Sequence, residues 1–94
     1  VNKMIKVKQM ISDRSYNPVA NQFIIEDKNA RYFQSYDSVI VKINYKTGKT
    51  YLDRNTWDYS VTTGKYRNQF LGEGIAATRA KIKAGEYKLT DLNK

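Results

Sequence analysis

Val39-Ile40-Val41-Lys42-Ile43-Asn44-Tyr45-Lys46-Thr47-Gly48-Lys49-Thr50-Tyr51-Leu52-Asp53 is the stretch on which the fold turns. Val39, Val41, Ile43 and Tyr45 share one parity and Lys42, Asn44 and Lys46 the other, the alternation of a strand buried on one side only. Thr47-Gly48 breaks the pattern and residues 49–53 return, which predicts a hairpin. A tight turn at Thr47-Gly48 sets Ile43 opposite Leu52 and Tyr45 opposite Thr50. Cross-strand pairs of this kind contribute roughly 0.2–1 kcal/mol each, too little to dictate the register alone. The stretch also contains Gly48-Lys49-Thr50, the end of a phosphate-binding loop motif. That motif needs a glycine where Ile43 stands, and its tripeptide must open a helix rather than join two strands. It is read here as a turn.

Upstream, residues 22–26 carry Phe23, Ile24 and Ile25, and Asp27-Lys28-Asn29-Ala30 supplies turn residues before residues 31–36. This predicts a second hairpin. Ile5, Val7 and Ile11 fall on one parity with Lys6 and Lys8 on the other, which predicts an N-terminal strand with its odd residues inward. Residues 12–18 end in the sole proline, Pro18, and read as an irregular connection.

Downstream the period changes. Ser60, Thr62 and Thr63 are helix-capping types, and Tyr66 with Phe70 forms an i,i+4 apolar pair before Gly72. Gly64 weakens the first turn by about 1 kcal/mol relative to alanine, so this helix depends on packing. A second helix fits residues 74–84, with Ile75, Thr78 and Ile82 on one stripe and Gly85 just past its end. Arg79, Lys81 and Lys83 crowd its last turns, where cations suit the helix dipole. Residues 87–89 add a short final strand. The expected fold is α+β: a small antiparallel meander sheet with two C-terminal helices packed on one face, all in one domain of 94 residues.

Composition narrows the function. The chain has 17 Lys+Arg against 9 Asp+Glu, a net charge of +8, with eight tyrosines, three phenylalanines and one tryptophan. Residues 1–47 hold eight basic against four acidic side chains and residues 48–94 nine against five, so each half carries +4. With no cysteine and no histidine, disulfides, thiolate or imidazole metal sites, cysteine nucleophiles and histidine bases are excluded. Asp53 and Asp58 lie close in sequence, but no metal-ligand spacing connects them, and they read as turn residues or ion-pair partners. For Ser60, Thr62 and Thr63 the only base type available is lysine, no Ser-x-x-Lys spacing exists, and they read as caps. The expectation is therefore no enzyme, no cofactor and no metal. The longest apolar runs, such as Val39-Ile40-Val41, are far too short for a membrane span, and a cytoplasmic location is expected.

Basic and aromatic residues interleave in Arg31-Tyr32-Phe33, in Lys42 to Lys46 around Tyr45, and in Lys65-Tyr66-Arg67. That is the composition of a nucleic-acid surface, with cations for phosphates and rings for bases. The same composition also suits a solvated strand face guarded by lysine. The helix, Gly-Glu-Gly turn and helix over residues 62–84 have the outline of a helix-turn-helix, without a polar recognition helix.

Three segments carry a resemblance: Phe33-Gln34-Ser35-Tyr36-Asp37-Ser38 with Tyr51-Leu52-Asp53, then Trp57-Asp58-Tyr59-Ser60-Val61-Thr62-Thr63-Gly64-Lys65-Tyr66-Arg67-Asn68-Gln69-Phe70-Leu71, then Lys83-Ala84-Gly85-Glu86-Tyr87-Lys88-Leu89-Thr90-Asp91-Leu92-Asn93. Over residues 33–93 the chain resembles a group of small uncharacterised bacteriophage and prophage proteins. The group has no activity to carry over, and no functional residue transfers. The resemblance implies a phage product acting inside an infected bacterium, where such proteins bind nucleic acid or obstruct a host or defence protein.

Two expectations follow. The first is a nucleic-acid-binding accessory protein whose phosphate contacts are Lys42, Lys46, Lys65, Arg67, Arg79, Lys81 and Lys83, with Asn68 beside them. The second is an inhibitor that docks on an acidic or nucleic-acid-binding surface of a host or defence factor. Within residues 57–71, Trp57, Tyr66 and Phe70 are expected inside, with Lys65, Arg67 and Asn68 projecting outward at helical spacing.

Overall fold

In the computed structural model, which describes residues 5–93, five strands run as an antiparallel meander before any helix forms. They are β1 (Lys6–Ile11), β2 (Pro18–Glu26), β3 (Ala30–Ser35), β4 (Ser38–Asn44) and β5 (Thr50–Asp53). Two helices, α1 (Val61–Leu71) and α2 (Ile75–Ala84), then lead into β6 (Tyr87–Thr90), which lies parallel to β5. The six-stranded sheet is ordered β1-β2-β3-β4-β5-β6, so the helices are the crossover between two neighbouring parallel strands. The fold is α+β, as the sequence predicts. Among the described residues no helix is long and apolar enough to cross a membrane.

Register decides which side chains meet the helices. Ile24, Phe33, Val41, Leu52 and Leu89 stand opposite one another across five strands and face the helices as one row. Phe33 stacks on Phe70 of α1 with ring centroids 5.7 Å apart, and the buried Ser35 and Thr63 hydroxyls meet at 2.8 Å. Met10, Ile40, Val41, Leu52, Tyr66 and Phe70 complete this core, with Trp57, Ile82, Tyr87 and Leu89 packed around it.

The helix ends follow local chemistry. Ser60 accepts the Thr63 N–H at 3.1 Å as N-cap, and Gly72 closes α1 at a φ of 71° that suits glycine. Thr78 is the buried member of the predicted α2 stripe.

Three strand expectations are corrected. Ile5, Val7 and Ile11 are exposed, and Met10, of the opposite parity, enters the core. The first half of β1 is exposed, and pairing then jumps from Gln9–Phe23 to Ile11–Pro18, so alternation there carries no burial signal. In β4 a bulge inserts Ile40 between the Gln34–Val39 and Phe33–Val41 pairs, so Ile40 and Val41 are both fully buried and Val39 moves to the other face. The β4–β5 hairpin pairs Ile43 with Thr50 and Val41 with Leu52, not Ile43 with Leu52. Its loop is longer than a two-residue turn because the Asn44 side chain accepts from the Lys46 and Thr47 N–H groups and folds the chain early.

The irregular residues 12–17 are stitched down. Ser12 Oγ accepts from the Arg14 and Ser15 N–H groups, and the Gln69 side chain of α1 bonds both Asp13 N–H and Ile11 C=O.

Candidate nucleic-acid interface

Both helices occupy one side of the sheet. The other side carries its own row: Val7, Ile25, Tyr32, Lys42, Tyr51 and Lys88 stand opposite one another from β1 to β6. None of them belongs to the core or packs against it. Tyr32, Lys42 and Tyr51 are half-buried, and Val7 and Lys88 are exposed. The Lys42 ammonium lies 6.0 Å from the centre of the Tyr51 ring, which places the two on the same face. Tyr32 and Tyr51 are two strands apart, on the order of 10 Å at ordinary strand spacing. Phe23, Gln34 and Val39 form the next row on this face.

Two carboxylates near this face, Asp27 and Asp53, are engaged in hydrogen bonds. Asp27 accepts from the Asn29 and Ala30 N–H groups at 2.8 Å each and from Tyr32 Oη at 3.3 Å. The Asn29 bond is the main reason its carboxyl is held below the ordinary range, while burial pushes the Tyr32 phenol up. Asp53 is buried, and burial alone would raise its carboxyl. Its hydrogen bonds from Leu92 N–H, from Thr56 and from Asn55 N–H outweigh that and hold it low. Lys28, Lys46 and Lys49 are exposed in the loops at the nearer end of the sheet, where Tyr45 N–H bonds Asn29 C=O.

A second surface lies along α1. Lys65, Arg67, Asn68 and Arg79 line one open groove of about 840 Å³ together with Arg14 and Asp58. The sequence predicts those first four as partner contacts, and the structure does bring them together. Arg67, however, does not project outward: it is 1 % exposed. Its Nη1 donates to Trp57 C=O at 2.6 Å, its Nη2 donates to Asn68 Oδ1 at 2.9 Å, and Asp58 Oδ1 lies 3.6 Å away. The guanidinium also lies over the Trp57 ring, 5.4 Å from its centre. Burial lowers the Arg67 pKa and Asp58 opposes the shift. The helical period of Tyr66 and Phe70 leaves Arg67 off their stripe, but Trp57 and Asp58 of the chain leading into α1 lie against that flank and, with Asn68 of the helix itself, supply the acceptors.

Asp58 also binds Arg79, at 3.1 Å, so one carboxylate answers two guanidinium groups. Among the described residues Arg14 and Lys65 form no salt bridge. Lys81 is tied to Glu73 at 2.6 Å. Glu73 also accepts from Thr78 Oγ1 at 2.6 Å and Tyr87 Oη at 3.1 Å, and these bonds overcome its burial to hold the carboxyl low. Lys83 is exposed near the end of α2 and does not line the groove.

The predicted contacts therefore divide. Lys42 stands on the open sheet face, Lys46 at its end, four residues line the α1 groove, Lys81 serves an ion pair and Lys83 stands apart. The sequence reading misses Tyr32, Tyr51, Lys88 and Arg14. Alternation marks Tyr51 and Lys88 as opposite in parity to Leu52 and Leu89, but only the parallel β5–β6 pairing sets them side by side.

These features define an α+β domain that covers one face of its sheet with helices and presents rings and lysines on the other. The chain belongs to the Family of unknown function (DUF8033), whose family model matches residues 5–87. No curated protein and no solved structure matches it.

Proposed function

We propose that this protein is a non-enzymatic, phage-type accessory protein that binds nucleic acid in the bacterial cytoplasm. The observation that carries the reading is the open row of Tyr32, Lys42, Tyr51 and Lys88, whose cations form no salt bridge among the described residues, Asp27 acting on Lys42 only at longer range. A polyanion that also offers flat apolar surface complements such a row. The phage context rests on the likeness of residues 33–93 to small phage and prophage proteins.

Gel shifts and anisotropy titrations on DNA and RNA at several salt concentrations test the proposal. Affinity should fall with salt, and Lys42→Ala or Lys88→Ala should each flatten the log–log slope by roughly 0.7–0.9. Absence of binding at low salt would refute it.

One observation favours a protein partner as a second reading. Tyr59 and Val61, the latter 90 % exposed, line the α1 groove beside Arg14 and Lys65. A pull-down with and without nuclease separates the readings: a stoichiometric prey that resists nuclease supports docking through this groove.

A further inference from the structure

Resting on the nucleic-acid reading, we propose that the ligand is single-stranded, with bases stacked on Tyr32 and Tyr51 and its backbone held by Lys42 and Lys88. The strand crosses the sheet along the row from β3 to β6.

The alternation of ring and cation within one row is the first argument. Tyr32, Lys42, Tyr51 and Lys88 come from four successive strands, so each ring is followed by an ammonium one strand further on. An extended strand offers base, phosphate, base, phosphate over the same path. The spacing of the rings, on the order of 10 Å, leaves room for a base on each with the backbone spanning between them.

The shape of the surface is the second. A duplex hides the faces of its bases and offers a protein phosphates and groove edges. Reading a groove requires a projecting helix, ribbon or arm, and the elements that could project, α1 and α2, lie on the opposite side. Lysines alone would serve a duplex. Half-exposed rings on a sheet become useful when the bases are unstacked, as single strands allow.

Charge is the third. Lys28, Lys46 and Lys49 extend the cationic track along the loops at the near end of the sheet. Asp27, which lies within Coulombic reach of Lys42, is taken up by the backbone of its own turn and by the Tyr32 hydroxyl, so it forms no salt bridge to that lysine. An acidic peptide would match these charges too, but it has no flat groups to place on two tyrosine rings.

The experiment is anisotropy with a labelled oligothymidine, an oligouridine and a duplex of equal length, at low and physiological salt. Single strands should bind more tightly than the duplex. Tyr32→Leu and Tyr51→Leu should each weaken single-strand binding roughly 5- to 150-fold without changing the salt slope. Tyr51→Phe, which keeps the ring, should bind like the parent and guards against a leucine variant that folds poorly. Lys42→Ala and Lys88→Ala should flatten the slope by roughly 0.7 each while a ring–base contribution persists. Equal binding of duplex and single strand, with the tyrosine variants unaffected, overturns the single-strand proposal but leaves nucleic-acid binding standing. No oligonucleotide binding at low salt overturns both.

Discussion

Replacing Arg67 by alanine should unfold this protein more readily rather than strip it of a surface contact. The guanidinium makes two charge-assisted bonds, to Trp57 C=O at 2.6 Å and Asn68 Oδ1 at 2.9 Å, and lies over the Trp57 ring. Hydrogen bonds to a charged group contribute about 1.5–3 kcal/mol each before the cost of burying the charge is counted. That cost is substantial here, because Arg67 is 1 % exposed and its Nε has no acceptor. Asp58 limits the damage on deletion: it is 38 % exposed, keeps its water and still holds Arg79. The net loss should be about 2–4 kcal/mol, which for a domain of this size lowers the melting temperature on the order of 10–20 °C. Arg67→Lys should fall between, since an ammonium cannot serve both acceptors in the plane of the ring. Lys65→Ala, two residues away and exposed, should change stability by less than about 0.5 kcal/mol. Thermal melts and urea titrations of the three variants provide the comparison. If Arg67→Ala melts with the parent, the buried guanidinium does not anchor the segment before α1 and the reasoning is wrong.

Gly64 offers the converse: a Cβ there would meet the Arg67 guanidinium at 3.6 Å, ordinary contact, so Gly64→Ala should gain close to the helix-propensity difference of about 1 kcal/mol. A drop in the melting temperature would show that the guanidinium cannot yield. In acid, Asp27, Asp53 and Glu73 all hold their protons less tightly in the folded protein than carboxylates ordinarily do. The unfolded chain therefore binds more protons, and the stability these groups contribute is complete above the ordinary carboxylate range and lost as pH falls through their lower folded values. Melting temperature should stay flat from neutral pH to about 5 and fall steeply below about 4. Asp53→Asn should melt lower at neutral pH with a shallower acid slope; an unchanged slope would show that Asp53 does not carry the linkage.

How much of this was legible depends on how local each signal is. Ser60, Gly72 and the Tyr66–Phe70 pair act within a turn or two of chain: α1 ends at Gly72 and turns Tyr66 and Phe70 inward as the sequence predicts, and of the three capping candidates Ser60 is the one used. Arg67 lies on the same helix, yet its burial depends on Trp57 and Asp58 folding back over α1, which no helical period encodes. The β4–β5 register fails for a short-range reason that alternation ignores, the Asn44 side chain bonding its own turn. In β1 the alternation is real, but only the end of the strand, at Met10 and Ile11, meets the core and α1, and Ile5 and Val7 stay exposed. The Tyr32–Lys42–Tyr51–Lys88 row is the least legible feature. Its members are spread over residues 32–88, and only the register of four strands, one of them parallel, brings them into line.

Backbone amide chemical-shift mapping on the isotopically labelled protein, titrated with a short oligothymidine, tests the central claim most directly. The largest shifts should fall on Tyr32, Lys42, Tyr51 and Lys88 and their neighbours Phe23 and Ile25, with Lys65, Arg67 and Asn68 of α1 nearly still. Shifts concentrated along the α1 groove, or none at low salt, would contradict it.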